Sequence, residues 1–428
     1  MKIKQNIIYL LFDKVFLLIT SLVLSIYTYR ILGPDLIGIL NTAQNFWALF
    51  AFLLSLGLES IVIKMLIKYT YSKYKILSTA FYLKIIGSIL SCILCVVLAY
   101  IYNNEEVFFK VILIIVLNGL LNPFTIIDFY YQSKNKANVV VKCRLLSKVI
   151  AIIFHVYVIL HVKNIYAFAT VNVIYNILVT TFYISVYKLD GMKIKMILTK
   201  FDLKIGKVIF NSSLPLMFAS IAIPIFMQSD VVMINYFLGS YEAGIFSAAT
   251  KLILPWNLIP TAIVTAFFPL LISLNSSKID FEEKFKEISS FLFWIAIIFA
   301  LFVSIFSDEI VSILYGDEFI RANNVLTIQV WSSVIAFLGP IGTRWLIVKK
   351  LQKIEFYKTA CAAIANILLN IVFIPSLGLI GASITSLISY FIANLLFFLL
   401  YKKTRDLFYI YIKSMSPVYA IRFIRNLK

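Results

Sequence analysis

Long apolar runs separated by short polar segments organise this chain. The first extends from Ile7 to Leu32, with Asp13, Lys14 and Arg30 as its only charged residues. A bilayer-spanning helix needs about 20 predominantly apolar residues. On that measure the pattern predicts twelve spans, roughly 7–32, 38–63, 78–101, 107–131, 145–162, 165–187, 207–237, 241–274, 288–306, 325–348, 357–374 and 378–401. Only a short link, His161–Asn164, parts the fifth from the sixth. A membrane barrel would instead show short segments alternating apolar and polar. The prediction is an all-α integral membrane protein. The first run is also too long for a signal-peptide core and lacks an A-x-A site.

Composition agrees. Hydrophobic residues make up 62% and charged residues 14%, against about a quarter charged in soluble domains. Such a chain has too little polar surface for a soluble fold and too much hydrophobicity for disorder. Lys and Arg total 39 against 20 acids. With the N-terminus taken as cytoplasmic, 31 of the basic residues fall in cytoplasmic segments and two, Lys163 and Arg321, on the opposite side. That is the positive-inside pattern, and it predicts an even number of spans with both termini cytoplasmic. The excess base therefore meets lipid headgroups, and no nucleic acid is expected. The outer loops are too short for an enzymatic domain. Cys92 and Cys95 form a C-x-x-C inside an apolar run with no partner pair, so they read as packing residues. No cofactor and no metal are expected.

One segment repeats. Residues 32–43 read LGPDLIGILNTA, and residues 238–249 read LGSYEAGIFSAA. Leu32/Leu238, Gly33/Gly239, Gly38/Gly244, Ile39/Ile245 and Ala43/Ala249 match at a fixed offset of 206. Each block follows the first span of a predicted half. The expected architecture is two parallel-related six-helix bundles around a central cavity, a common transporter plan. Its divisions are an N-terminal lobe (1–190), a cytoplasmic connection (191–206), a C-terminal lobe (207–402) and a basic amphipathic cytoplasmic tail (403–428) that reads as interfacial.

The first block, in full YRILGPDLIGILNTAQNFWALFAFLLSLGLES from Tyr29 to Ser60, resembles the opening signature of the bacterial polysaccharide flippases. The stretch Ser213–Leu252, with its proline, acid, LG and G-I-F-S-A-A-x-K, is similar to that family's second-half pattern. LYGDEFIRANNVL (Leu314–Leu326) and N-x-x-x-N…PSLGLIGASITS (Asn366–Ser386) also fit. These flippases belong to a superfamily that includes the multidrug-and-toxin extruders (MATE). The resemblance implies a two-lobed exporter fold of twelve or fourteen helices. It also implies a cargo of polyprenyl-pyrophosphate-linked oligosaccharide repeat units, carried across a bacterial inner membrane for O-antigen, capsule or exopolysaccharide synthesis. Polysaccharide polymerase and glycosyltransferases would then be partners.

Charges within spans cost several kcal/mol unless paired or hydrated, so each is a functional candidate. Arg30, Lys84, Lys251 and Arg344 are the candidate cavity cations; Arg grips phosphate through its fork and Lys acts as a point charge. For Arg30, Lys84 and Arg344, snorkelling to the interface is the plainer alternative. Asp230 and Lys251 fall at similar depth on adjacent helices and form either a structural lock or a switchable pair. Glu59 and Asp128 lie toward inner span ends, where Lys64 or Lys134 would neutralise them. A membrane carboxylate is also able to carry H+ or hold Na+, and nothing in the sequence selects the ion. Pro224 and Pro255, among five prolines in spans seven and eight, permit bends beside a wet cavity. Asp230, Glu59, Pro224 and Pro255 are thus candidates for coupling or gating.

The function expected is a flippase moving its cargo from cytoplasmic to outer leaflet by alternating access. The alternative is an ion-coupled multidrug or organic-cation antiporter of the same fold. An enzyme is not expected, because His155 and His161 sit alone without positioned acids.

Overall fold

The computed structural model describes residues 2–68, 71–102, 105–274 and 277–426. The chain is helical, with no strand among the described residues. The first helices are α1 (Lys2–Ala48), α2 (Ala51–Ser55), α3 (Leu58–Lys68), α4 (Lys73–Tyr102), α5 (Glu106–Leu121), α6 (Ile126–Ser133), α7 (Ala137–Tyr157), α8 (Ile165–Leu189), α9 (Leu203–Ala219) and α10 (Ala222–Leu238). There follow α11 (Ser240–Ile253), α12 (Leu258–Ser273), α13 (Lys278–Ile305), α14 (Ser307–Tyr315), α15 (Ala322–Ala336), α16 (Leu338–Val348), α17 (Lys353–Phe391), α18 (Phe397–Leu400), α19 (Arg405–Ser414) and α20 (Pro417–Arg425). Among the described residues nine stretches are long and apolar enough to cross a bilayer, or ten with α9 and α10, bent by 44°, counted as one span. The chain is thus a multi-pass helical membrane protein.

Two of those stretches are hairpins. In α1 the Asn41 amide donates to the Tyr29 hydroxyl at 2.7 Å. Twelve residues of straight helix would separate the two by about 18 Å, so the chain reverses between them, at Gly33 (φ 70°, ψ 173°). In α17 a Cβ on Gly381 would strike the Phe373 carbonyl, which a straight helix would hold about 12 Å away. The reversal lies at Gly378 (φ 62°). These are the places where the apolar pattern ended its first and eleventh spans.

Gly239, the repeat partner of Gly33, has φ 90° and ψ 176°. Only glycine occupies that region without strain. The two copies therefore share a one-residue corner between helices. A second match lies further on. The chain leaves helix at Leu49–Phe50 and at Leu254–Asn257, again near the offset of 206.

The described residues divide into two compact units, Met1–Val232 and Met233–Lys428. The first takes in α9 and half of α10, because α9 packs on α3 and α4. Its core joins Leu58 and Val62 of α3, Ile76 and Ala80 of α4, Ile126 of α6, and Ile205 and Ile209 of α9. Helices in lipid have no hydrophobic drive toward each other, so small residues that permit close packing decide the contacts. A Cβ on Gly57 would lie 2.8 Å from the Met217 nitrogen, and one on Gly119 would lie 2.9 Å from the Trp47 ring. In the second unit α13 packs against α15, α19 and α20.

Three details depart from the sequence expectation. Span five begins at Ala137, not 145, because Ala137, Val140, Val141, Cys143 and Ser147 form one buried face, Lys142 lies on the exposed face, and Arg144, half-buried, is matched by Asp128 at 3.5 Å. The outer segment between the predicted spans 288–306 and 325–348 is not merely a loop: it contains the helix α14, which buries Val311 and Tyr315. The tail does not simply lie on a surface: Ser290 donates to the Ser416 carbonyl (2.8 Å) and Trp294 to that of Met415 (3.0 Å). Arg422 pairs with Glu283 at 3.0 Å.

Candidate functional site

Two interrupted helices of the first unit border a cavity of about 520 Å3. The first interruption separates α2 from α3, where Leu56 (φ 46°) and Gly57 (φ 64°) take left-handed backbone. The second is the short 3₁₀ turn Asn122–Thr125 between α5 and α6. Pro123 causes it, since its ring removes one helix N–H and crowds the preceding turn. Non-helical backbone at membrane depth is tolerated where it is buried in protein or lines a wet cavity.

Helix α4 carries Lys84 to the same cavity. Lys84 is 3% exposed. Its ammonium donates to the Thr125 hydroxyl and, at 3.4 Å, to the Asn122 carbonyl, and it stands 5.2 Å from the centre of the Phe129 ring. No carboxylate lies within 4.0 Å of it among the described residues. Glu59 and Asp128 line the cavity too, but their oxygens are engaged elsewhere. Gln132 donates to Asp128 at 2.9 Å and to Glu59 at 3.2 Å. Arg144 reaches Asp128 at 3.5 Å. Arg144, on the adjoining α7, is thus a charged partner of Asp128, and Gln132, one helical turn beyond Asp128, bridges it to Glu59.

A second buried lysine shows the contrast. Lys358 is 4% exposed. It pairs with Glu355 at 3.1 Å and donates to Asn394 at 3.3 Å. Its charge is matched on the spot. The Lys84 ammonium donates to neutral oxygens and borders open space, with Glu59 and Asp128 of the same cavity as its longer-range electrostatic partners, an arrangement costly in low dielectric and able to receive an anion.

None of the other sequence candidates is among the residues that line this cavity. Arg30 is exposed on α1. Asp230, half-buried on α10, belongs to the first unit, whereas Lys251 and Arg344 belong to the second. The Arg344 guanidinium sits 4.7 Å from the Phe268 ring. Pro224 lies in the first turn of α10, just after the 44° bend, and Pro255 lies in the break between α11 and α12. The side chains of Asp13 and Lys14 lie outside the described residues. Of the candidates, then, Lys84 and Glu59 share one cavity. Asn122 and Thr125 line it as well, Gln132 and Arg144 hold its acids from behind, and only Pro123 signalled the Asn122–Thr125 turn in the sequence.

Comparison with known proteins follows the same lines. The model of a family described as polysaccharide biosynthesis protein matches residues 29–324. This chain belongs to that family. Within it, the chain is 28% identical over 209 residues to a probable low-salt glycan biosynthesis flippase, Agl15, of Haloferax volcanii, covering 48% of this chain and 44% of the relative. It is 28% identical over 207 residues to the capsular polysaccharide biosynthesis protein CapF of Staphylococcus aureus, covering 46% and 50%. The chain thus spans about half the length of the curated relatives it matches. Two solved structures share the fold of this polysaccharide biosynthesis protein. One is the lipid II flippase MurJ, inward closed (TM-score 0.72, 16% identity, 96% of this chain and 90% of that one). The other is an inward-facing multidrug resistance MATE family transporter of the MOP superfamily (0.71, 14%, 93% and 96%). The MATE-like fold implied by the sequence motifs is the fold found.

Proposed function

We propose that the chain is a flippase for polyprenyl-diphosphate-linked oligosaccharides, carrying them from the cytoplasmic to the outer leaflet by alternating access. The observation that carries this is Lys84, a buried cation with no carboxylate within 4.0 Å among the described residues, beside a cavity of about 520 Å3. A diphosphate supplies the missing charge, and Thr125 and Asn122 hold the ammonium toward it. The names of the matched relatives, a glycan flippase and a capsule protein, support the same cargo class. The reading requires no covalent step. It places the protein in a bacterial cell membrane with both termini cytoplasmic, fed by glycosyltransferases and drained by a polymerase. Each glycine hairpin counts as two spans in this scheme, and the broken pair α9–α10 as one, which yields twelve. Alternating access is driven in it by H+ or Na+.

The antiporter reading has one specific support, since Glu59 and Asp128 border the same cavity. An organic cation would need those acids free. Asp128 is held by Arg144 and Gln132, and Lys84 would repel the cargo. Reconstitution with labelled polyprenyl-diphosphate oligosaccharide separates the two. Transfer to the far leaflet is expected; drug–proton exchange without lipid transfer would reverse the choice.

A further inference from the structure

A second hollow, of about 220 Å3, adjoins the Lys84 cavity and shares Leu54, Asn122 and Thr125 with it. Its walls are chemically different. No charged side chain lines it. Asn118, Asn122 and Asn176 present amides, Thr180 a hydroxyl, and Trp47 and Tyr183 aromatic surface. The Asn176 amide donates to the Asn118 side chain at 2.7 Å and so fixes α8 against α5. The Asn122 side-chain oxygen is buried with no partner among the described residues. A buried acceptor left unsatisfied is costly, so a donor is expected to meet it.

Amides, a hydroxyl and aromatic plates suit a neutral ring bearing several hydroxyls. The hydroxyls exchange hydrogen bonds with the amide and hydroxyl groups of the lining, and the apolar faces of the ring lie on the aromatic surface, which is apolar over its body. The position adds to this. A diphosphate at Lys84 in the larger chamber brings whatever is bonded to it to the mouth of the smaller one. We propose that the 220 Å3 hollow is a subsite for the sugar joined directly to the diphosphate, with Asn122, Asn176 and Thr180 reading its hydroxyls and Trp47 supporting its face. The inference rests on the flippase reading and extends it: specificity for the first sugar resides in the N-terminal unit.

The test uses the full chain in proteoliposomes with two cargoes, polyprenyl diphosphate bearing the oligosaccharide and the bare lipid diphosphate. Asn176→Leu and Thr180→Val are compared with wild type at limiting cargo. Each variant is expected to lower transfer of the glycosylated cargo about fivefold to tenfold, the effect of one or two lost hydrogen bonds, while bare lipid diphosphate moves at the wild-type rate. Thr180→Val lies outside the Asn118–Asn176 contact, so it reports on the subsite without loosening α8. Equal loss on both cargoes by Thr180→Val, or unchanged transfer of both, overturns the subsite and leaves the flippase reading standing. A wild type that moves neither cargo overturns the flippase reading itself.

Discussion

At the residue scale, the fate of a buried charge depends on what stands opposite it. Lys84 and Lys358 are similarly buried, yet of the two, among the described residues, Lys358 alone has a carboxylate within 4.0 Å. Lys84→Met removes a buried cation that has no carboxylate within 4.0 Å among the described residues and fills a similar volume, so it is expected to leave the protein about as stable as wild type. Lys358→Met removes the partner of a Glu355 side chain that is 37% exposed and still accepts from Thr343, so solvent screening holds the expected cost to about 1 kcal/mol. Thermal unfolding in detergent checks both; a Lys84→Met protein that melts well below wild type would show that the ammonium is structural. The repeat glycines make a second prediction. Gly239→Ala forces a side chain into φ 90°, ψ 176° and is expected to lose about 1–3 kcal/mol, with Gly33→Ala losing a similar amount. A melting temperature unchanged by either would mean that the corner tolerates other backbone geometry.

At the scale of elements, interruptions matter more than the helices themselves. The breaks at Leu56–Gly57 and Asn122–Thr125 create the first-unit cavity. In the second unit a similar break, between α15 and α16, is filled from outside. The fully buried Tyr411 of α19 donates to the Leu338 carbonyl at 2.7 Å, and Gly342 leaves room for its hydroxyl. Burial raises the Tyr411 hydroxyl well above its ordinary pKa, so it remains a donor throughout the physiological range. Tyr411→Phe removes that bond while the Leu338 carbonyl keeps its place at the start of α16, and is expected to cost about 1 kcal/mol, with faster proteolysis of the tail beyond Lys402. An undisturbed tail would show that its docking rests on α20 alone. Here the sequence was a partial guide. Long apolar runs and Gly33 and Gly378 were visible as span ends, since hydropathy and turn glycines are local signals. The docked tail and α14 were not, because their buried faces depend on which neighbour covers them. Arg144 and Gln132 escaped notice for the same reason: an ion-pair partner on another helix leaves no mark in spacing.

At the scale of the whole molecule, family membership and the MATE-like fold agree with the apolar pattern and the repeat. The charge asymmetry along the chain makes the topology testable. Single cysteines introduced at Lys136 and Lys193 in a background lacking the four native cysteines are expected to react with an impermeant thiol reagent only from the cytoplasmic face. One at Lys163 is expected to react only from the opposite face. Labelling of all three from one side would refute the span assignment. The central claim is that Lys84 receives the cargo's diphosphate, and transfer of labelled polyprenyl-diphosphate oligosaccharide by Lys84→Met and Lys84→Arg proteins tests it most directly. The account predicts at least a tenfold loss for Met and partial retention for Arg, which keeps the charge. Wild-type transfer by the Lys84→Met protein would contradict it.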